Sequence, residues 1–293
     1  MASLLQSQKS MPTSKLKFPL NLMHFFNDAR HFQIVYLGSF VLFGLVFLSW
    51  HEDWFKFILF AVTALVIQYF GQAMTQPKRG AWKSALITSL GLCLLCKTNT
   101  YETAILAAVF AIGSKFVLRY NGKHIFNPVN MGIIASMYLT NDAWISPGQW
   151  GSHIVLIFLL GALGFLVLRK VDRLDASLTF LLVFGGLQFV RSVLYLGWSI
   201  DVYLHQMASG TLLLFTFFMI TDPMTTPNHR TARIIWVSLI SITSFALSNY
   251  MYVYAAPILV LFFASPLTPV LDTIWQSEKF DWKFSKSFVE LKK

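Results

Sequence analysis

The stretch YLHQMASGTLLLFTFFMITDPMTTPNHRTAR, residues 203–233, decides how this chain folds. It opens polar, turns small at Ser209-Gly210-Thr211, runs apolar from Leu212 to Ile220 and stops at Thr221-Asp222-Pro223. A loop carrying His229, Arg230 and Arg233 closes it. With its flanks the apolar run is long enough to cross a bilayer as a helix. The segment reads as a small-residue helix start, a spanning helix, a proline-terminated exit and a basic anchor.

Composition agrees with that reading. Of 293 residues, 56% are hydrophobic and 12% charged, about half the charged share of a soluble domain. No polar segment is long enough for a second domain, and the class is an all-α polytopic membrane protein. The net charge of +10 does not point to nucleic acid, because the basic residues fall in short loops between apolar runs. The first 31 residues lack the compact apolar core and small-residue cleavage site of a signal peptide.

Ten apolar runs follow, at 32–50, 54–74, 84–96, 101–118, 128–139, 151–168, 176–196, 203–220, 234–250 and 251–271. Numbering tails and loops alternately puts all of the 23 lysines and arginines except Lys56, Lys97 and Arg191 on one side. The positive-inside rule makes that side cytoplasmic, with both termini there and the protein multi-pass in the cell (inner) membrane. The expected organisation is a cytoplasmic tail with an interfacial segment over 1–31, a ten-helix membrane domain over 32–271, and an amphipathic cytoplasmic tail over 272–293.

Ten helices divide into two fives, and a repeated five-helix unit inserts in opposite orientations. The halves run over about 32–140 and 151–271, with Ser84-Ala85-Leu86 and Ser209-Gly210-Thr211 opening equivalent runs. The third run, about thirteen apolar residues, reaches about 20 Å against a hydrocarbon core of about 30 Å. It is expected to be half-spanning or broken, as helices are at ligand sites in repeat-built folds. A tilted neighbourhood with local bilayer thinning is the alternative.

Two polar constellations stand at the inner ends of runs. Lys123-His124-Ile125-Phe126-Asn127-Pro128-Val129-Asn130 precedes the fifth, and Thr221-Asp222-Pro223-Met224-Thr225 follows the eighth. Asn127 and Asp222 each precede proline, so each can cap a helix or close an Asx-type turn. The functional alternative is that both line one cavity and bind a polar heterocycle, since Asn offers a donor and an acceptor to an imide edge. Ser209-Gly210-Thr211 offers helix N-terminal N–H groups suited to phosphate, although small residues at helix contacts are commoner. Cys93 and Cys96, at helical spacing, read as packing residues, with no further ligand nearby for a metal. Lys115 is expected to snorkel; Arg191 either snorkels or meets an anion. No Walker motif, HExxH, dinucleotide fingerprint or row of intramembrane acids is present.

SGTLLLFTFFMITDPMTT, from Ser209, resembles the flavin-bearing helix of the D subunit of the Rnf electron-transport complex (RnfD), with the B subunit of the sodium-translocating NADH:quinone reductase (NqrB) a more distant relative. SALITSLGLCL, from Ser84, is similar to that family's third-helix motif, and FNPVNMG, from Phe126, to its Phe-Asn-Pro motif. SKFVLRYNGKHIFNP and SPGQWGS look like the enediyne-cluster, UnbU-type branch. The resemblance implies two inverted five-helix repeats, FMN esterified to a Thr on the extracytosolic side, often riboflavin deeper in the membrane, and electron transfer between flavins. The family's attachment motif is Ser-Gly-Ala-Thr. Here Leu212 falls on the acceptor Thr, so FMN or riboflavin is expected to be bound without a covalent link.

The reading is a membrane-embedded, flavin-binding electron-transfer subunit, with no catalytic side chain and no metal, working with other membrane or extracytosolic redox proteins. Ser209, Gly210 and Thr211 are the expected outer contacts; Asn127, Asn130, Thr221, Asp222, Thr225 and Ser84 the expected inner ones. Its rivals are a small-solute transporter on the same scaffold and a non-catalytic scaffold of a biosynthetic assembly.

Overall fold

A computed structural model describes residues 28–48, 50, 54–75, 80–148, 164–165, 168, 171–278 and 280. Most of the expected sixth helix, the tail over 1–27 and the tail beyond 280 lie outside the described residues.

The first helix, α1 (Ala29–Phe47), begins at Asp28, whose side chain accepts the Arg30 N–H. Asp28 also ion-pairs with Arg30 and Lys83, which pins the start of α1 to the start of α3 (Ala81–Leu95). Between them α2 (Trp54–Met74) runs the opposite way. Its large side chains Phe55, Ile58, Val62 and Phe70 are exposed, as a lipid-facing surface requires. The contact between the fourth and fifth runs is built from small residues. Ala104, Ala107, Ala108 and Ala111 of α4 (Tyr101–Val117) are wholly buried. A Cβ on Gly132 of α5 (Pro128–Thr140) would stand 2.5 Å from the Ala107 carbonyl oxygen. In a bilayer such close backbone packing replaces the hydrophobic drive between helices.

The third run is short, as expected, the fifth is short too, and what completes them is extended chain. Helix α3 passes into β1 (Cys96–Thr98), α5 ends at a left-handed Asn141, and β4 (Ala143–Ile145) pairs antiparallel with β1, Cys96 opposite Ile145. Fifteen helical residues rise about 22 Å and three extended ones add about 10 Å, which together match a hydrocarbon core. The strand pairing satisfies the non-helical backbone, the condition for irregular chain at membrane depth. Because α3 stops at Leu95, Cys93 and Cys96 do not share a helix face. A second ribbon, β2 (Arg119–Tyr120) with β3 (Lys123–His124), joins α4 to α5 at the end bearing Asp28, Arg30 and Lys83, called here the basic end.

Beyond the sixth run, α6 (Leu174–Phe189) continues as a π-helical segment, Val190–Tyr195. The eighth run is not one helix. It is α7 (Ile200–Met207) and α8 (Gly210–Leu214), the latter continued by a π segment, Phe215–Met219, with a 54° bend between them. The Gly210 N–H donates to the Gly148 carbonyl at 2.9 Å rather than to its own helix, so the helical ladder cannot pass through it. After α9 (Arg230–Tyr250), the tenth run is likewise broken by 54°, into α10 (Ala256–Ala264) and α11 (Leu267–Ile274). Pro266 at that break has no N–H to give. Among the described residues, four helices are long and apolar enough to span a membrane, or six counting each bent pair as one. The protein is a multi-pass, predominantly helical membrane protein.

Candidate functional site

The Phe-Asn-Pro and Thr-Asp-Pro stretches meet at the basic end. Asn127 caps α5, its Oδ1 accepting the Asn130 N–H at 3.2 Å, and Pro128 fills the first turn, where no N–H is needed. The Asn127 Nδ2 donates to Asp222 Oδ2 at 3.3 Å. The other oxygen of Asp222 accepts the Met224 N–H at 3.0 Å, an Asx-type turn. His124 Nε2 stands 3.7 Å from the same carboxylate. Asn127 and Asp222 are therefore structural caps and mutual partners at once. Burial works against the Asp222 carboxylate, but the His124 imidazole beside it, the Met224 N–H and the Lys115 charge outweigh it and hold its pKa below the ordinary carboxylate value.

Asn127, Asp222 and Ser84 line one cavity of about 1030 Å³, with Gln68, Gln72 and Lys115. That volume is at the upper end for sites holding drug-sized ligands. The lining is amphipathic, with Leu37, Ile87, Val129 and Phe218 beside the polar groups. Gln72 Nε2 is buried without a hydrogen-bond partner among the described residues. A planar ring with a polar imide edge fits this donor and acceptor set. Sequence reasoning placed Lys115 at the headgroups; instead it is buried, donating to Ser84 Oγ at 2.9 Å and Gln68 Oε1 at 3.3 Å. It lies one and two turns beyond Ala111 and Ala108 on the stripe that faces the bundle, so its side chain points inward. The spacing of that stripe was the available signal.

Three expected contacts stand behind the cavity rather than on it. Asn130 Nδ2 ties α5 to the Ile258 carbonyl at 3.0 Å, the Thr225 carbonyl accepts from Thr268 Oγ1 at 3.0 Å, and Thr221 Oγ1 donates to the Phe217 carbonyl at 2.7 Å.

At the far end a second cavity, of about 300 Å³, is lined by Ser209, Thr211 and Leu212. The Ser146–Gly148 loop already engages the small-residue motif. Ser209 Oγ donates to the Pro147 carbonyl at 3.4 Å, Thr211 Oγ1 to the Ser146 carbonyl at 2.6 Å, and Gly210 N–H to the Gly148 carbonyl. Gly148 has φ +63°, and a Cβ there would lie 2.3 Å from the Thr211 nitrogen, so only glycine fits. Carbonyl oxygens thus crowd the helix start, and phosphate would have to displace them. The sequence did not reveal the amides opposite. Asn249 Nδ2 donates to Gln188 Oε1 at 2.9 Å and Gln188 Nε2 to Gln206 Oε1 at 2.8 Å, a network drawn from three separate helices. Arg191 is held nearby, donating to the Asn249 carbonyl and lying 4.8 Å over the Tyr250 ring. Leu214 lines the basic-end cavity and its neighbour Phe215 the far-end one, so the two cavities flank one helix at adjacent residues.

A family model described as "NQR2, RnfD, RnfE family" matches residues 134–281, just over half of the chain. The matched segment contains Ser209–Thr211 and Asp222 and begins after the Phe-Asn-Pro stretch. No curated protein matches the chain.

Proposed function

Because the chain belongs to the NQR2, RnfD, RnfE family, whose members are membrane proteins linked to Rnf and Nqr electron transport, we propose that it is a flavin-binding electron-transfer subunit. In this reading it passes electrons through the bilayer between partner redox proteins. The observation that carries the proposal is the basic-end cavity, built where the Phe-Asn-Pro and Thr-Asp-Pro stretches meet, with the far-end cavity on the other side of Leu214 and Phe215. Asn127 and Asp222 offer a donor and an acceptor to the imide edge of a flavin, and the apolar walls exclude water from its rings. A bound flavin supplies the redox chemistry; the side chains position it and set its surroundings. Ser209, Gly210 and Thr211 mark the second station. Each of them is engaged with the Ser146–Gly148 loop, and Leu212 has no hydroxyl, both of which support riboflavin or FMN held without a covalent bond. Flavin is then expected in the supernatant after acid denaturation, with no ultraviolet fluorescence in the denatured gel band. A fluorescent band lost in Thr211→Ala would make Thr211 an attachment site instead.

The proposal includes ten spanning segments in two inverted halves. The packing of α2 on α4 and α4 on α5 is paralleled by α6 on α9 and α9 on α10, which supports such a repeat. It also places the basic end in the cytoplasm of the cell, with both termini there. Ser146 lies in the loop expected to be extracytosolic but is 4% exposed, so neighbouring Trp144, 44% exposed, is the better reporter. A cysteine at Trp144 is expected to react with an impermeant maleimide in intact cells, and one at Tyr120, 48% exposed, is not. The reverse pattern would invert the topology.

A further inference from the structure

Lys115 is a buried cation that no described carboxylate touches; the Asp222 charge reaches it only through space. Its ammonium contacts two neutral oxygens, Ser84 Oγ and Gln68 Oε1, and makes no salt bridge with a described residue. Moving an ammonium out of water still costs several kcal/mol after relaxation. A hydroxyl and an amide oxygen offset only part of that, and the position is costly unless something anionic visits it.

The charges around the cavity tell the same way. Arg30 comes from α1, Lys115 from α4, Arg119 and His124 from the β2–β3 ribbon and Asp222 from the turn after α8. Arg30 is matched by Asp28, and the Asp222 carboxylate is taken up by Asn127, His124 and the Met224 N–H. Lys115 holds its ammonium against Ser84 and Gln68, so the same cavity carries an accepting group at Asp222 and a cation at Lys115.

We propose that Lys115 is the contact for the negative charge that the cavity's ring ligand carries only when reduced, so that the site binds the reduced form more tightly than the oxidised one. This rests on the flavin reading above. Two electrons from a partner redox protein and one proton from water leave a single negative charge on the pyrimidine edge of a flavin; the oxidised edge is neutral. An ammonium fixed beside that edge favours the reduced state and raises the midpoint potential. Ser84 and Gln68 act as positioning residues, orienting the ammonium toward the cavity.

The test uses the full-length protein purified with its flavin and measures the midpoint potential by optical redox titration. Lys115→Gln is expected to lower the reduced-to-oxidised affinity ratio at least tenfold, a potential lower by about 30 mV for a two-electron couple. Lys115→Arg, which keeps the charge, is expected to retain most of the wild-type value. If the Gln variant does not fold, Lys115→Met removes the charge with an apolar chain of similar reach. The wild type alone gives a second readout. At mildly acidic pH, where free flavin takes up two protons with its two electrons, the bound flavin is expected to take up one, a slope of about 30 rather than 59 mV per pH unit. Equal potentials in wild type and the uncharged variant, or a bound flavin that follows the free one, overturn the role of Lys115 and leave flavin binding standing. A wild type that carries no flavin overturns the flavin reading, and this inference with it.

Discussion

Asp222→Asn is expected to lower bound flavin per folded molecule by about tenfold or more, the effect of losing a charged hydrogen-bond acceptor in a buried site. The substitution keeps the side chain's size, and the amide oxygen can still accept the Met224 N–H that closes the turn. The carboxylate charge facing His124 and Lys115 is what disappears. Asn127→Ala removes both the donor to Asp222 and the cap of α5, so it is expected to cost stability, about 0.5–2 kcal/mol, as well as flavin. Extracted flavin measured against monodisperse protein separates the two effects. Unchanged flavin in both variants, with only stability reduced, would mean that the pair caps the fold and nothing more.

Arg233→Met is expected to destabilise the protein by about 3–5 kcal/mol, the cost of leaving one partner of a buried ion pair alone. Arg233 is 4% exposed and donates to Asp175 Oδ2 at 2.6 and 2.9 Å, joining α9 to the start of α6. It also donates to the Pro227 and Asn228 carbonyls, both at 3.0 Å, which closes the loop that follows Asp222. Thermal melting in detergent reads the loss. Arg233→Met combined with Asp175→Leu is expected to melt above the single variant, because neither charge is then stranded. A single variant that melts with the wild type would remove this pair as an anchor.

The parts of this architecture visible in the sequence are those written in local chemistry. Proline after a side chain able to bond to backbone marks a helix boundary wherever the chain ends up, so Asn127-Pro128 and Asp222-Pro223 could be placed at helix ends and, through the charged loops, at the same end. The short third helix followed from counting apolar residues against bilayer thickness. What was hidden depends on partners distant in sequence. The β1–β4 ribbon is three residues on each side with no alternating pattern, and its strands pair Cys96 with Ile145 across two intervening helices. The break before Gly210 comes from a carbonyl of Gly148 that no local propensity encodes. Lys115 was misplaced by weighing its charge and its nearness to the helix end above its register with Ala104, Ala108 and Ala111, whose burial fixes the inward face.

The central claim is that this cavity holds a flavin, and the absorption spectrum of gently purified, full-length protein tests it most directly. The account predicts the two visible bands of oxidised flavin, bleached by dithionite and restored by air, in an amount stoichiometric with the chain and diminished in Asp222→Asn. Colourless, folded protein that takes up no added riboflavin or FMN, and that catalyses solute uptake in liposomes, would contradict it and favour a transporter.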